Sequence, residues 1–286
     1  MTQSGPAEPS QQDGLPTLDG DAATAVLLRD GDAGLEVLLL ERLGSSRTFA
    51  GAWVFPGGFV DPEDYVGLEG LEGSADPELA ALADGARNRT VPDLPVDAVP
   101  AALIRAARRA AVRETAEETG LVIDEAALVP TSCWVPPRQQ ARRMRAWYFL
   151  APLPGEGSDA VVLSPGEHAD SVWITPREAL ERHGAGTMVL VPPLWLTLHL
   201  LGGYATVGAA VAGLAADPPV QYRSQMVQKG GRKYVVWAGD AAWIDEHPAE
   251  PDAEADAAAG MDLELVEPNR RFRLDVTEPP WTLDQH

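Results

Sequence analysis

Apolar residues fall in short runs along this chain, and the residues between the runs say how they fold. Ala22–Leu28 and Glu36–Leu43 flank the turn-rich stretch Arg29 to Gly34, a pattern that predicts a β-hairpin. The next run closes on Pro56-Gly57-Gly58, which stops a strand and lets its backbone come close to another group. Pro100 to Val112 is alanine-rich and free of glycine, which predicts one continuous helix with Pro100 in its first turn. Gly120 suits the left-handed position just past the last turn. Leu128–Val135 and Met144–Leu150 read as strands, and Thr175-Pro176-Arg177-Glu178 reads as a capping box opening a helix through Glu181.

From Gly184 to Ala216 the chain carries no charge. Pro192, Pro193, Gly202, Gly203 and Gly208 interrupt it, and Leu194–Leu201 is far short of the roughly 20 residues a membrane span needs. Two packed helices are expected instead, at 193–201 and 207–216, part of them suited to a subunit contact in a homodimer. Beyond Asp217, Gln221–Gln228 and Arg232–Ala238 flank Lys229-Gly230-Gly231, a hairpin signal. Asp245 to Asp256 is an acidic, alanine-rich linker, and Leu263–Glu267 with Arg271–Val276 flank Pro268-Asn269 as a weaker second hairpin.

The late part of the alanine-rich helix carries the chemistry. In Arg113-Glu114-Thr115-Ala116-Glu117-Glu118-Thr119-Gly120-Leu121, the three glutamates fall within an arc of roughly 100° on one face. Like charges at this spacing repel. A solvated acidic face normally intersperses bases, whereas this one continues upstream as Ala107, Ala110 and Ala111. Divalent cations would neutralise such a face, because Mg²⁺ takes carboxylates, waters and phosphate oxygens. A second feature is Arg138, Arg142, Arg143 and Arg145, four arginines within eight residues. They are either a solvated loop balancing local acids or a phosphate-gripping edge. His168 reads as a surface histidine.

Composition narrows the partners. A 286-residue chain with 45% hydrophobic residues has enough for one large domain, or one domain with an appendage. With 43 acids against 22 bases the net charge is −21, which disfavours nucleic acid and anionic membranes as partners. The single cysteine, Cys133, rules out an internal disulfide and reads as a buried apolar residue in a protein of the cytoplasm. Residues 1–18 have neither a basic region nor an apolar core and read as a loose tail.

The nonapeptide from Arg113 resembles the second half of the Nudix box, with Thr115 standing where an aliphatic residue is usual. Gly58, with an acid at the required distance, resembles the first half, although the acid is Asp64 rather than glutamate. The family usually places seven residues before the arginine, whereas here 48 intervene, residues 65 to 112. Members similar to the peroxisomal coenzyme A diphosphatases carry insertions there. The insertion, 65–98, holds a helix-like piece at Pro77–Ala83 and is either a lid-like binding element or a spacer.

The resemblance implies an α/β/α sandwich with a mixed sheet over a domain 19–217, followed by a C-terminal β extension, 218–286. It implies a diphosphate hydrolase using Mg²⁺ or Mn²⁺, with a small-molecule diphosphate as substrate. Glu114, Glu117, Glu118 and the Gly57 carbonyl would hold metal, and Arg113 would orient a neighbouring carboxylate. The base would be Glu114 or Glu167, the latter on the loop before Trp173. Coenzyme A-cleaving relatives carry an upstream signature matched in part by Leu38, Leu39, Arg42, Arg47, Gly51 and Phe55-Pro56-Gly57-Gly58. Arg42 and Arg47, with Arg138 and Arg142 as a second set, would then meet substrate phosphate. The rival readings are a dinucleotide or nucleotide-sugar diphosphatase and a catalytically silent binding or regulatory protein of the same fold.

Overall fold

Strand β2 (Gly20–Gly31) is covered on both sides, and that decides the layering. Ala23, Ala25 and Leu27 are buried in one apolar cluster, Val26 and Leu28 in the other. Strand β3 (Gly34–Arg42) repeats the alternation, with Leu38 and Leu40 on the first side and Val37 and Leu39 on the second. So does β8 (Met144–Pro152), with Trp147 and Phe149 opposed to Tyr148 and Leu150. The computed structural model describes residues 17–45, 49–68, 91–92, 99–154, 160–243 and 271–286. Most of the 65–98 insertion, with its helix-like Pro77–Ala83, lies outside them, as does Arg47.

β2 runs antiparallel to β3 and parallel to β8. β7 (Val129–Val135) joins β8, while β4 (Trp53–Val54) and β9 (His168–Ile174) both pair with β3. β5 (Gly57–Phe59) pairs with β2. Past β7 the sheet continues through a parallel neighbour, β10 (Val220–Lys229), and then β11 (Arg232–Trp237), β12 (Phe272–Asp275) and β13 (Thr282–Gln285). Among the described residues this makes one mixed sheet of 11 strands. A separate two-stranded ladder joins β1 (Thr17–Leu18) to β6 (Val91–Pro92), which ties the end of the N-terminal tail to the insertion.

Helices cover both faces. On the Ala23 side lies α1 (Ala101–Thr119); on the other lie α2 (Pro176–Gly184), α3 (Pro192–Leu201) and α4 (Val207–Leu214). The architecture is the expected α/β/α sandwich with a mixed sheet. Ala102, Ala106, Ala107, Ala110 and Ala111 of α1 share a cluster with Ala23 and Ala25 of β2. Alanine against alanine lets helix and sheet approach closely, and this closeness sets the depth of the acids at the helix end. Among the described residues no helix is long and apolar enough to cross a membrane.

The C-terminal strands extend the central sheet. An aromatic seam binds them to it: Trp134 of β7 stacks on Tyr222 of β10 with centroids 4.2 Å apart, and Trp237 and Phe272 close around that pair. Gly230 and Gly231 turn the β10–β11 hairpin with φ of 57° and 78°, the left-handed pair that a two-residue hairpin turn requires. The second hairpin differs from expectation. Phe272–Asp275 pairs with β11 and with Thr282–Gln285, whereas 263–267 lies outside the described residues.

Two of the four clustered arginines are structural, a role that neither the solvated-loop reading nor the phosphate-edge reading gave them. Arg145 is buried and grips Asp21 at 2.6 and 3.2 Å, with the indole N–H of Trp147 donating to the same carboxylate. Arg143 donates to the carbonyls of Thr17 and Pro136. A buried ion pair stripped of one partner leaves an uncompensated charge, so Arg145→Ala should cost about 3–5 kcal/mol in urea unfolding. A loss below about 1 kcal/mol would mean that Asp21 is solvated and the pair is not part of the core.

Candidate active site

Helix α1 ends where its sequence says it should. Gly120 takes φ 70° and donates its N–H to Ala116 O, closing the last turn. Thr115 and Thr119 are buried, and their hydroxyls donate back to the carbonyls of Ala111 and Thr115 at 2.7 and 2.6 Å. A threonine at the usually aliphatic position 115 therefore leaves no unsatisfied group.

This last stretch of helix lies against β5, where two glycines admit the carboxylates. The Gly57 N–H donates to Glu118 Oε2 at 2.8 Å. A methyl group on Gly58 would collide with the carboxylate of Glu114, and one on Gly57 would collide with the Ala23 carbonyl. Gly58 is thus a steric requirement of the acid packed on it, and Gly57 a requirement of the close approach of β2. Glu118 is buried and Glu114 half-buried, while Glu117, at 58% exposure, faces solvent.

Arg113 ties the helix to the segment after β5. Its Nε and Nη2 reach Asp64 at 3.2 and 3.0 Å, Nη2 also reaches Phe59 O, and Nη1 donates to Glu114 Oε1 at 2.8 Å. Asp64 sits in a 3₁₀ turn, Pro62–Tyr65, and accepts from the Asp61 N–H at 2.8 Å. Arg109 donates to the carbonyls of Asp64 and Val66, fastening the same turn. Asp64, one methylene shorter than the family's glutamate, therefore has the reach to anchor Arg113. Burial lowers the Arg113 pKa, but hydrogen bonds to Asp64 and Glu114 and their charges raise it overall, so the group is a permanent cation.

Glu167 and His168 arrive from the far side, at the start of β9. Glu167 is exposed; His168 is buried, with Nε2 facing Glu118 Oε1 at 3.7 Å. The expectation of a surface histidine is corrected here. His168 pairs in register with Arg42, the last residue of β3, across a bulge at Glu41/Arg42, which carries the ring inward. Arg42 is partly buried, and its charge acts on both Glu118 and His168. Of the remaining arginines, Arg142 is exposed and lies over the Phe59 ring, 4.6 Å from its centroid, and Arg138 is exposed. Arg42 thus acts on the acids and Arg142 lies on Phe59, while Arg143 and Arg145 serve the scaffold.

Two residues of the site, Asp61 and the buried His168, are not among those predicted. Asp61 is buried beside Arg113, at 3.7 Å, and its signal was available: Asp61-Pro62-Glu63-Asp64 has the form of a capping box with proline in the first turn. His168 had no such signal, because its burial follows from strand register.

The electrostatics are those of crowded acids. Burial raises the pKa of Glu114; the Arg113 hydrogen bond and charge oppose this, and Glu117 and Asp61 add to it. Burial pushes Glu118 up to about 8 against the Gly57 hydrogen bond, with Glu114 and Glu167 adding repulsion. Burial, and then Arg42, lower His168 to about 4, so the ring is neutral at physiological pH. A hard divalent cation would relieve this repulsion, and the oxygen donors of Glu114, Glu117 and Glu118 suit Mg²⁺ or Mn²⁺. Glu118, Glu167 and His168 also bring one ligand atom each to within 4.8 Å of one another. The residues fit the metal that the fold implies.

Comparison with known proteins agrees with this geometry. Residues 105–191 match the family model described as NUDIX domain. That span begins inside α1, so the glycine strand, set apart by the insertion, falls outside it. Among solved structures, a NUDIX hydrolase from Alicyclobacillus acidocaldarius aligns with a TM-score of 0.53 at 23% identity, over 70% of this chain and 98% of that one. The NUDIX domain of Shewanella oneidensis NrtR complexed with ADP ribose aligns at 0.40 and 18%, over 68% of this chain and 90% of that one. A C. elegans Ap4A hydrolase in a binary complex aligns at 0.34 and 20%, over 69% and 96%. The first likeness establishes the Nudix fold. A search of curated proteins returns no match.

Gly58→Ala tests the steric fit. The methyl group would push the Glu114 carboxylate off its Arg113 hydrogen bond, which should cost about 1 kcal/mol in urea unfolding. Gly44, with open space around it, is the control and should tolerate alanine within about 0.5 kcal/mol. Equal effects at both positions would show that Glu114 does not pack on the glycine strand.

Proposed function

We propose that this protein is a metal-dependent hydrolase of diphosphate linkages in small molecules. The observation that carries the reading is the packing of Glu114 and Glu118 against Gly57-Gly58 beneath the Arg113–Asp64 clamp. Buried carboxylates without a matching set of bases have no structural benefit, and a cation gives them one. When bound, Mg²⁺ or Mn²⁺ polarises phosphoryl oxygens and lowers the pKa of an attacking water. Arg113 fixes Glu114 through Nη1, and burial raises the Glu114 carboxyl above its ordinary value. The fixed geometry supports Glu114, rather than the exposed Glu167, as the base, with Arg113 as its positioning residue. Glu118 stays tied to the Gly57 N–H, and exposed Glu117 faces the incoming substrate.

Coenzyme A or an acyl-coenzyme A is the finer proposal for the substrate. What supports it is the upstream spacing of Leu38, Leu39, Arg42, Arg47, Gly51 and Phe55–Gly58. A protein at −21 repels a ligand that bears a 3′-phosphate besides its diphosphate, so that phosphate needs a cationic contact of its own. Arg42 is partly buried and acts on Glu118 and His168, which leaves the contact to Arg47. The same observation favours a second reading: with Arg42 turned to the site's own acids, a dinucleotide or nucleotide sugar lacking the extra phosphate also fits.

A panel of diphosphates assayed with Mg²⁺ and with Mn²⁺, products identified by mass, tests both levels. Cleavage at the diphosphate is expected, and Glu117→Gln should cut turnover by orders of magnitude with the fold intact. Turnover that survives this substitution at matched metal content contradicts the mechanism. A charge-assisted phosphate contact is worth roughly 1.5–3 kcal/mol, so Arg47→Ala should weaken coenzyme A cleavage by about ten- to a hundredfold and spare dephospho-coenzyme A. Equal losses on the two would remove coenzyme A in favour of the second reading.

A further inference from the structure

The hydrolytic reading leaves one buried side chain without a task. His168 has a side chain only 2% exposed, its Nδ1 has no hydrogen-bond partner among the described residues, and its Nε2 stands 3.7 Å from Glu118 Oε1. That distance is too long for a hydrogen bond. It suits two ligands of one ion: donors about 2.1 Å from an octahedral cation lie about 3.0 Å apart when adjacent and about 4.2 Å apart when opposite. Glu167 completes a set of three donors lying within 4.8 Å of one another.

We infer that the imidazole of His168 is a nitrogen ligand to the cation, beside Glu118 and Glu167, and that the site therefore prefers Mn²⁺ to Mg²⁺. The inference rests on the metal-dependent reading above and adds a ligand to it. Oxygen donors alone serve Mg²⁺ well, whereas an imidazole donor raises affinity for first-row transition metals and leaves that for Mg²⁺ nearly unchanged. Because His168 and Glu167 are consecutive at the start of β9, one ion held by them and by Glu118 would join the end of α1 to β9. The bulge at Glu41/Arg42 opposite His168 is the local irregularity that places the ring there.

Electron spin echo envelope modulation of the full chain, stripped of metal and reloaded with substoichiometric Mn²⁺, reads the ligand directly. The expected result is a modulation from directly coordinated ¹⁴N in the wild type, absent from His168→Gln. That variant should also lose Mn²⁺ affinity by at least about tenfold, the loss seen even for partners outside the ligand shell, with Mg²⁺ affinity changed much less. Bound Mn²⁺ without nitrogen modulation, or modulation that persists in His168→Gln, overturns the nitrogen ligand and leaves the hydrolase reading standing. No Mn²⁺ binding at all overturns both.

Discussion

Everything at this site depends on how closely one helix approaches one short strand. The alanines of α1 and the alanines of β2 bring helix and sheet together, and Gly58 removes the last side chain between them. Carboxylates that would otherwise lie on a solvated helix face are thereby pressed onto backbone. A hydrogen bond from Gly57 and the charges of Arg113 and Arg42 compensate them in part. The sheet supplies rigidity, the helix supplies spacing, and the glycines supply depth.

Arg113 carries the other half of the constraint. Asp64, which binds it with both oxygens, is separated from it by 48 residues, so the contact closes the loop that contains the whole insertion. The capping interaction of Asp61 with Asp64 and the two carbonyls held by Arg109 make the near end of that loop rigid. The first turn of that long connection is thereby anchored to the helix that carries the acids. The far side of the site is built differently, from β3 and β9, whose register sets Arg42 opposite His168. The two halves meet at Glu118.

What could be read without the structure was local. The left-handed Gly120 that ends α1, the Gly230-Gly231 turn and the Thr175 cap each follow from a few adjacent residues and came out as expected, while Pro100 precedes α1 as its N-cap instead of entering its first turn. The glutamates, Arg113 and the two glycines were legible because their spacing is itself the signal. Features made by distant pairing were not. Nothing near Val220 says that it will run parallel to β7, and Thr282–Gln285, following Pro279-Pro280, showed no strand pattern. Arg145 looked like a surface cation because its partner Asp21 lies 124 residues away, and the burial of His168 follows from strand register alone.

The central claim is that the buried acids are strained when bare and relieved by a cation. Glu118 has a folded pKa near 8, above its ordinary value of 4.5, so folding favours its protonated form. Its contribution to stability is therefore complete below about pH 4.5 and is lost as pH rises through about 8. Thermal unfolding of metal-free protein at pH 5.5 and at pH 8, with and without Mg²⁺, measures this directly. The melting temperature should fall between the two pH values when metal is absent. Mg²⁺ should restore it more at pH 8 than at pH 5.5, and Glu118→Gln should flatten both effects. A melting temperature indifferent to Mg²⁺ at both pH values, in wild type and variant alike, would contradict the account.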